Sequence, residues 1–87
     1  MIKSNEAIEE LLSKDLSIKD RMLLILYLYK EQEGFCRLSV TVDGNSNWKN
    51  VADQLYAEGL IEYPGKEKYS SIGRITNKGI VYIENKY

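Results

Sequence analysis

The sequence predicts a mainly α fold with one small antiparallel pair of strands near its C-terminal third. Three observations lead there. Apolar residues recur at helical spacing in three separate stretches, around Ile8, Met22 and Val51. Two short apolar runs, Leu60 to Tyr63 and Tyr69 to Ile75, flank a Pro64-Gly65 turn. Between the second and third helical stretches the period changes to two.

Taken in order, residues 4–14 form a first amphipathic helix. Ser4 is placed to cap it, and Ile8, Leu11 and Leu12 make its apolar stripe. A second helix starts at Ser17. Ser17 and Asp20 have the spacing of a capping box, with aspartate in the usual Glu/Gln position. Ile18, Met22, Ile25, Leu26 and Tyr29 make its main stripe, while Leu23, Leu24, Tyr27 and Leu28 add apolar surface around the rest. Gly34 is expected to end this helix in a left-handed conformation. Cys36, Leu38, Val40 and Val42 alternate with polar residues and predict a half-buried strand over 36–42, closed by an Asp43-Gly44 turn.

A third helix is expected over 47–58. Asn47 is a favourable N-cap, and Trp48, Val51, Ala52 and Leu55 fall at i, i+3, i+4 and i+7. Gly59 sits where a C′ glycine belongs, with Leu60 placed to fold back on the last turn. A strand over Leu60–Tyr63, a polar tip at Lys66, Glu67 and Lys68, and a return strand over Tyr69–Ile75 follow. Thr76 can cap a final helix running to Glu84, with Ile80, Val81 and Ile83 as its apolar residues. Gly79 inside that helix costs about 1 kcal/mol relative to alanine.

The 87 residues make one domain, 1–87, in which 1–16 forms an N-terminal packing or dimerisation arm. Apolar residues are 44% and charged residues 29% of the chain, the balance of a folded globular domain. Seven tyrosines stand against one phenylalanine, which suits half-buried sites where a ring packs and a hydroxyl stays wet. Cys36 has no partner for an intramolecular disulfide, and with no histidine present a zinc site or a His-activated nucleophile is not expected. Glu9 and Glu10 are adjacent and face different ways on a helix, so they are no acid–base pair. No glycine-rich phosphate loop occurs. The expectation is a non-enzyme without metal or cofactor. The longest apolar run, Met22 to Tyr29, is too short to span a bilayer, and the N-terminus turns acidic at once, unlike a signal peptide. A cytoplasmic location, with no membrane partner, is the corresponding expectation.

From Ser17 to Glu84 the chain resembles winged-helix proteins of the MarR and PadR type. Two segments carry the likeness: Val51-Ala52-Asp53-Gln54-Leu55-Tyr56-Ala57-Glu58-Gly59-Leu60-Ile61-Glu62, similar to a recognition helix running into the first wing strand, and Ile75-Thr76-Asn77-Lys78-Gly79, similar to the closure of a wing. The resemblance implies a DNA-binding transcription regulator of prokaryotic type with recognition helix 47–58 and a wing over 64–75. In such families a terminal helix commonly builds a two-fold dimer, which here would be the first or the last. The sequence departs from the pattern at Arg37–Asn47, where strand and turn leave little room for the helix that precedes the recognition helix and braces it.

Candidate DNA contacts lie in two places. Asn47, Lys49, Asn50 and Gln54 point away from the Trp48–Leu55 stripe, and amides and lysine are groups that read base edges or hold phosphate. The plain alternative is a solvated helix face, and Asp53 and Glu58 on it repel phosphate. In the wing, Lys66, Lys68, Arg74 and Lys78 against Glu67 alone give a local +3 in a chain of net charge −1, and Ser70 and Ser71 can donate to phosphates. The alternative there is lysine protection of a strand edge. Trp48 and Cys36 both fall in phase with core residues, which favours burial over base stacking or redox sensing. The apolar surplus of the second helix is covered either by the terminal helices of the same chain or by a second subunit. Two functions are therefore expected in competition: double-stranded DNA binding, and a protein-interaction module on the same scaffold. The acidic isoelectric point near 5.4 and the acidic residues of the third helix favour the second.

Overall fold

The computed structural model describes residues 5–32, 34–65 and 70–87. Five helices, α1 (Asn5–Leu12), α2 (Ile18–Leu28), α3 (Leu38–Thr41), α4 (Trp48–Ala57) and α5 (Asn77–Lys86), surround three short strands, β1 (Cys36–Arg37), β2 (Ile61–Glu62) and β3 (Ile72–Ile75). The strands form an antiparallel sheet in the order β1-β3-β2, with Cys36 opposite Gly73 and Ile61 opposite Ile75. The fold is thus mainly helical with a small three-stranded sheet. Among the described residues no helix is long and apolar enough to cross a membrane.

The hub is α2. Met22, Leu23, Leu24, Leu26 and Tyr27 are all buried, and α1, α3, α4, α5 and β3 pack around them. Most of the apolar surplus of this helix is therefore covered inside the chain, while Ile25 and Tyr29 are left at the surface of a groove. The helix is shorter than the sequence predicts. It ends at Leu28, where the buried side chains end, and Lys30–Gln32 form exposed turns instead. Gly34 does adopt a left-handed conformation (φ +92°), but in the loop that follows and not at the helix end.

The segment 36–42 departs most from expectation. Only Cys36 and Arg37 are strand, and Leu38–Thr41 turn into a single helical turn. The Leu38 amide donates to Ser71 O (2.9 Å), just before β3, and Thr41 Oγ1 then donates back to Leu38 O (2.6 Å). Leu38, Thr41 and Val42 are buried at i, i+3 and i+4, whereas Val40 is 65% exposed. Leu38 and Val42 satisfy both periodicities, and Val40 decides between them. The helix before α4, for which the sequence leaves little room, is present as the four-residue α3.

The end of α4 is built as expected. The Gly59 amide bonds to Tyr56 O (3.0 Å) and the Leu60 amide to Leu55 O (2.9 Å), a Schellman motif with Gly59 at φ +78°. Thr76 caps α5 by accepting from the Gly79 amide (3.1 Å), and its hydroxyl donates to Gly59 O (2.6 Å). Gly79 is explained by this junction: a Cβ there would sit inside contact distance of the Leu60 carbonyl oxygen and 2.6 Å from Ile75 Cγ1. The helix tolerates glycine because only glycine lets it lie against β2.

Ser17 caps α2 through the Asp20 amide (3.1 Å), but Asp20 does not return the bond of a capping box. Its side chain, in a residue only 5% exposed, instead accepts from Tyr87 Oη (2.6 Å), Lys86 Nζ (2.7 Å) and Tyr82 Oη (3.2 Å) at the far end of α5. Burial raises the Asp20 pKa, but the bonds from Lys86 and Tyr87, the Lys86 charge and the Tyr82 bond outweigh it and hold the group below its ordinary value. Tyr27 Oη donates to Glu84 Oε2 (2.8 Å) a turn earlier, and its phenol is pushed up to about 12, first by burial and then by that carboxylate.

Two predictions follow from these contacts. Gly79→Ala destabilises the domain by about 1–3 kcal/mol through overpacking, seen as a thermal midpoint at least about 4 °C lower; an unchanged midpoint contradicts the close approach. Asp20 is more acidic folded than unfolded, so its stabilisation is complete above about pH 4 and fades as pH falls through the lower folded value. Urea denaturation should show wild type more stable than Asp20→Asn at pH 7, with the gap narrowing as pH falls below about 4. A gap independent of pH contradicts the charged latch.

Candidate nucleic-acid interface

The outward side of α4 is set by its inward one. Val51, Ala52 and Leu55 are buried and Trp48 is half-buried against the core, which leaves Lys49, Asn50 and Gln54 exposed together with Asn47 at the start. Four of the predicted contact residues therefore share one surface. Asn47 stands at the N-cap position but makes no capping bond with its side chain. Its backbone is not extended (φ −91°, ψ 7°), and its amide N–H donates to Asn45 Oδ1 (2.9 Å). The freed Asn47 Oδ1 accepts instead from Asn50 Nδ2 (2.8 Å), one turn up the helix.

Three carboxylates near this surface, Asp53, Glu58 and Glu62, are engaged. Asp53 Oδ1 accepts from Tyr63 Oη (2.8 Å), and the Tyr63 ring stacks on Tyr56 with centroids 4.6 Å apart. Those contacts fix the end of β2 against one flank of α4. Glu58 pairs with Lys19 of α2 (2.9 Å), and Glu62 pairs with Arg74, its cross-strand neighbour. Lys49 makes no hydrogen bond or ion pair among the described residues, so it is the unpaired charge of the α4 surface.

The wing presents a different picture from its sequence. Lys66 and Lys68 lie outside the described residues. Ser70 is half-buried and its Oγ accepts from the Ile72 amide (3.2 Å), which occupies it locally. Arg74 is exposed, but Glu62 holds its Nε and the guanidinium lies over the Phe35 ring, 4.8 Å from the centroid. Lys78 lies across Gly59 beside the last turn of α4, where a helix C-terminus favours a cation. The local surplus of positive charge is thus partly consumed within the chain.

Two features were not singled out from the sequence. Arg37, opposite Ile72 on the exposed face of the sheet that also carries Arg74, has no ion pair among the described residues. Its outward place in the alternation was the signal. The second is an apolar groove of about 370 Å³ lined by Ile25, Tyr29, Cys36, Arg37, Val40 and Thr41. It exists because Val40 turns outward on α3, which strand periodicity hides. Cys36 borders it half-buried, and burial pushes its thiol pKa up, against the low value a redox sensor needs.

No protein-family model, curated protein or solved structure matches this chain. The site is therefore read from its own geometry. As a structural check on it, Tyr63→Phe removes the hydroxyl from Asp53 and should cost about 0.5–1.5 kcal/mol in denaturant unfolding. No measurable loss would mean that the Tyr63–Asp53 bond does not pin β2 to α4.

Proposed function

We propose that this chain is a winged-helix domain that binds double-stranded DNA, with α4 entering the major groove and the turn between β2 and β3 resting on the phosphates. One observation carries the reading. The outward face of α4 offers amides and an unpaired lysine, while Glu58 and Glu62 are charge-paired with Lys19 and Arg74 and Asp53, which keeps its charge, is held at the flank by Tyr63. Support comes also from the chain order α2-β1-α3-α4-β2-β3 with pairing β1-β3-β2, in which a short helix precedes the exposed one as a helix-turn-helix requires. The reading is of a regulator rather than an enzyme, and base readout and phosphate contact need no cofactor.

A second reading is favoured by the apolar groove beside Tyr29, 41% exposed, and Val40. Contiguous apolar surface of that kind marks protein contacts. On this reading the scaffold binds a protein and not DNA.

Fluorescence anisotropy with a labelled random-sequence duplex separates the two. DNA binding predicts micromolar affinity at low salt that weakens steeply as salt rises. Lys49→Glu should weaken it and lower the salt slope by about 1. The absence of binding at low salt, or a wild-type slope shared by Lys49→Glu, removes α4 as the DNA-contacting element.

A further inference from the structure

We infer that Asn50 is the residue with which α4 reads an adenine, and that Asn47 is the positioning residue that sets its amide for the task. The inference rests on the DNA reading above and names what that surface would recognise.

A free asparagine side chain on a helix surface samples several rotamers and both amide orientations, and binding must then pay to fix one. Here the choice is already made. Asn50 Nδ2 donates one hydrogen to Asn47 Oδ1 at 2.8 Å, which places the nitrogen toward the N-terminal end of α4. Asn47 is itself held, because its backbone amide is bound by Asn45 Oδ1 at 2.9 Å. The three asparagines form a ladder from the turn onto the first turn of α4.

What the ladder leaves open decides the ligand. Asn50 retains one N–H donor and, among the described residues, a carbonyl oxygen that accepts no bond. An adjacent donor and acceptor match the major-groove edge of adenine, which presents N7 as acceptor and the N6 amino group as donor. Guanine presents two acceptors at the same edge and leaves the Asn50 oxygen facing another oxygen. Both asparagines are exposed, Asn47 at the N-cap and Asn50 in the first turn of α4, the end of a recognition helix that meets base edges. Gln54 is exposed one turn further along, about 6 Å up the axis. That is roughly two base-pair steps at about 3.4 Å each. Lys49, on the flank, suits phosphate.

The test is selection of bound duplexes from a randomised pool, followed by anisotropy on the selected site and on the same site with the key A·T pair changed to G·C. The wild type should select one dominant A·T pair and bind the changed site about 5- to 150-fold more weakly. Asn50→Ala should lose that preference and bind the two sites about equally. Asn47→Asp keeps an acceptor for Asn50 and adds a negative charge, so it should bind all duplexes more weakly yet keep the preference. Asn47→Ala should reduce the A·T over G·C affinity ratio, whereas a merely structural role would weaken binding to both sites alike. Circular dichroism of each variant checks that the fold persists, and both substituted positions are exposed. A wild type that binds duplex but selects no A·T pair sensitive to Asn50 overturns this inference alone. A wild type that binds no duplex overturns the DNA reading and this inference with it.

Discussion

The approach of α5 to the carbonyl of Leu60 is the constraint on which the surrounding architecture depends. Gly79 admits it, because any side chain there would collide with Leu60 O and Ile75. Thr76 then serves three partners at once. Its amide donates to Leu60 O (3.1 Å), its hydroxyl donates to Gly59 O and accepts from the Gly79 amide. These bonds satisfy backbone groups at the end of α4 and the start of α5 that would otherwise need water. They fix the angle between α4 and the sheet, and so decide which residues of α4 face out.

The opposite end of α5 is tied down by a different kind of contact. Asp20, Tyr82, Lys86 and Tyr87 form a charged and hydroxylic cluster at the first turn of α2. Removing a carboxylate from water is costly unless it is paired and hydrogen-bonded, and here three donors meet it. With the Tyr27–Glu84 bond beside it, the C-terminal part of α5 is tied to α2 at two points, Asp20 and Tyr27. The tyrosine-rich composition finds its use in these positions: rings against the core, hydroxyls on carboxylates.

Helical stripes, Gly59 and Thr76 were legible in the sequence because each follows from local chemistry: apolar spacing, a left-handed residue after a helix, a hydroxyl before one. The errors fall where the decision is made by contacts distant in sequence. Segment 36–42 reads equally as strand or helical turn until Ser71, just before β3, accepts a bond from Leu38. The Asp20 carboxylate suits a capping box until α5 offers better donors. Gly79 looks like a defect in a helix until Leu60 is seen against it. Among the site residues, the exposure of Asn47, Lys49, Asn50 and Gln54 was readable from the phase of the Trp48–Leu55 stripe. The occupation of Arg74 by Glu62 was not, since it depends on the register of two strands. The Asn47–Asn50 bond was hidden for a similar reason: it exists because Asn47 forgoes the cap its residue type prefers.

Nuclear magnetic resonance titration of the labelled domain with a short duplex tests the central claim most directly, because it reports the surface and not only the affinity. The account predicts shift changes concentrated on the backbone and side-chain amides of Asn47, Lys49, Asn50 and Gln54, with Tyr29, Cys36 and Val40 unmoved. Changes centred on the Tyr29–Val40 groove, or none along α4 at duplex concentrations that saturate binding, would contradict it.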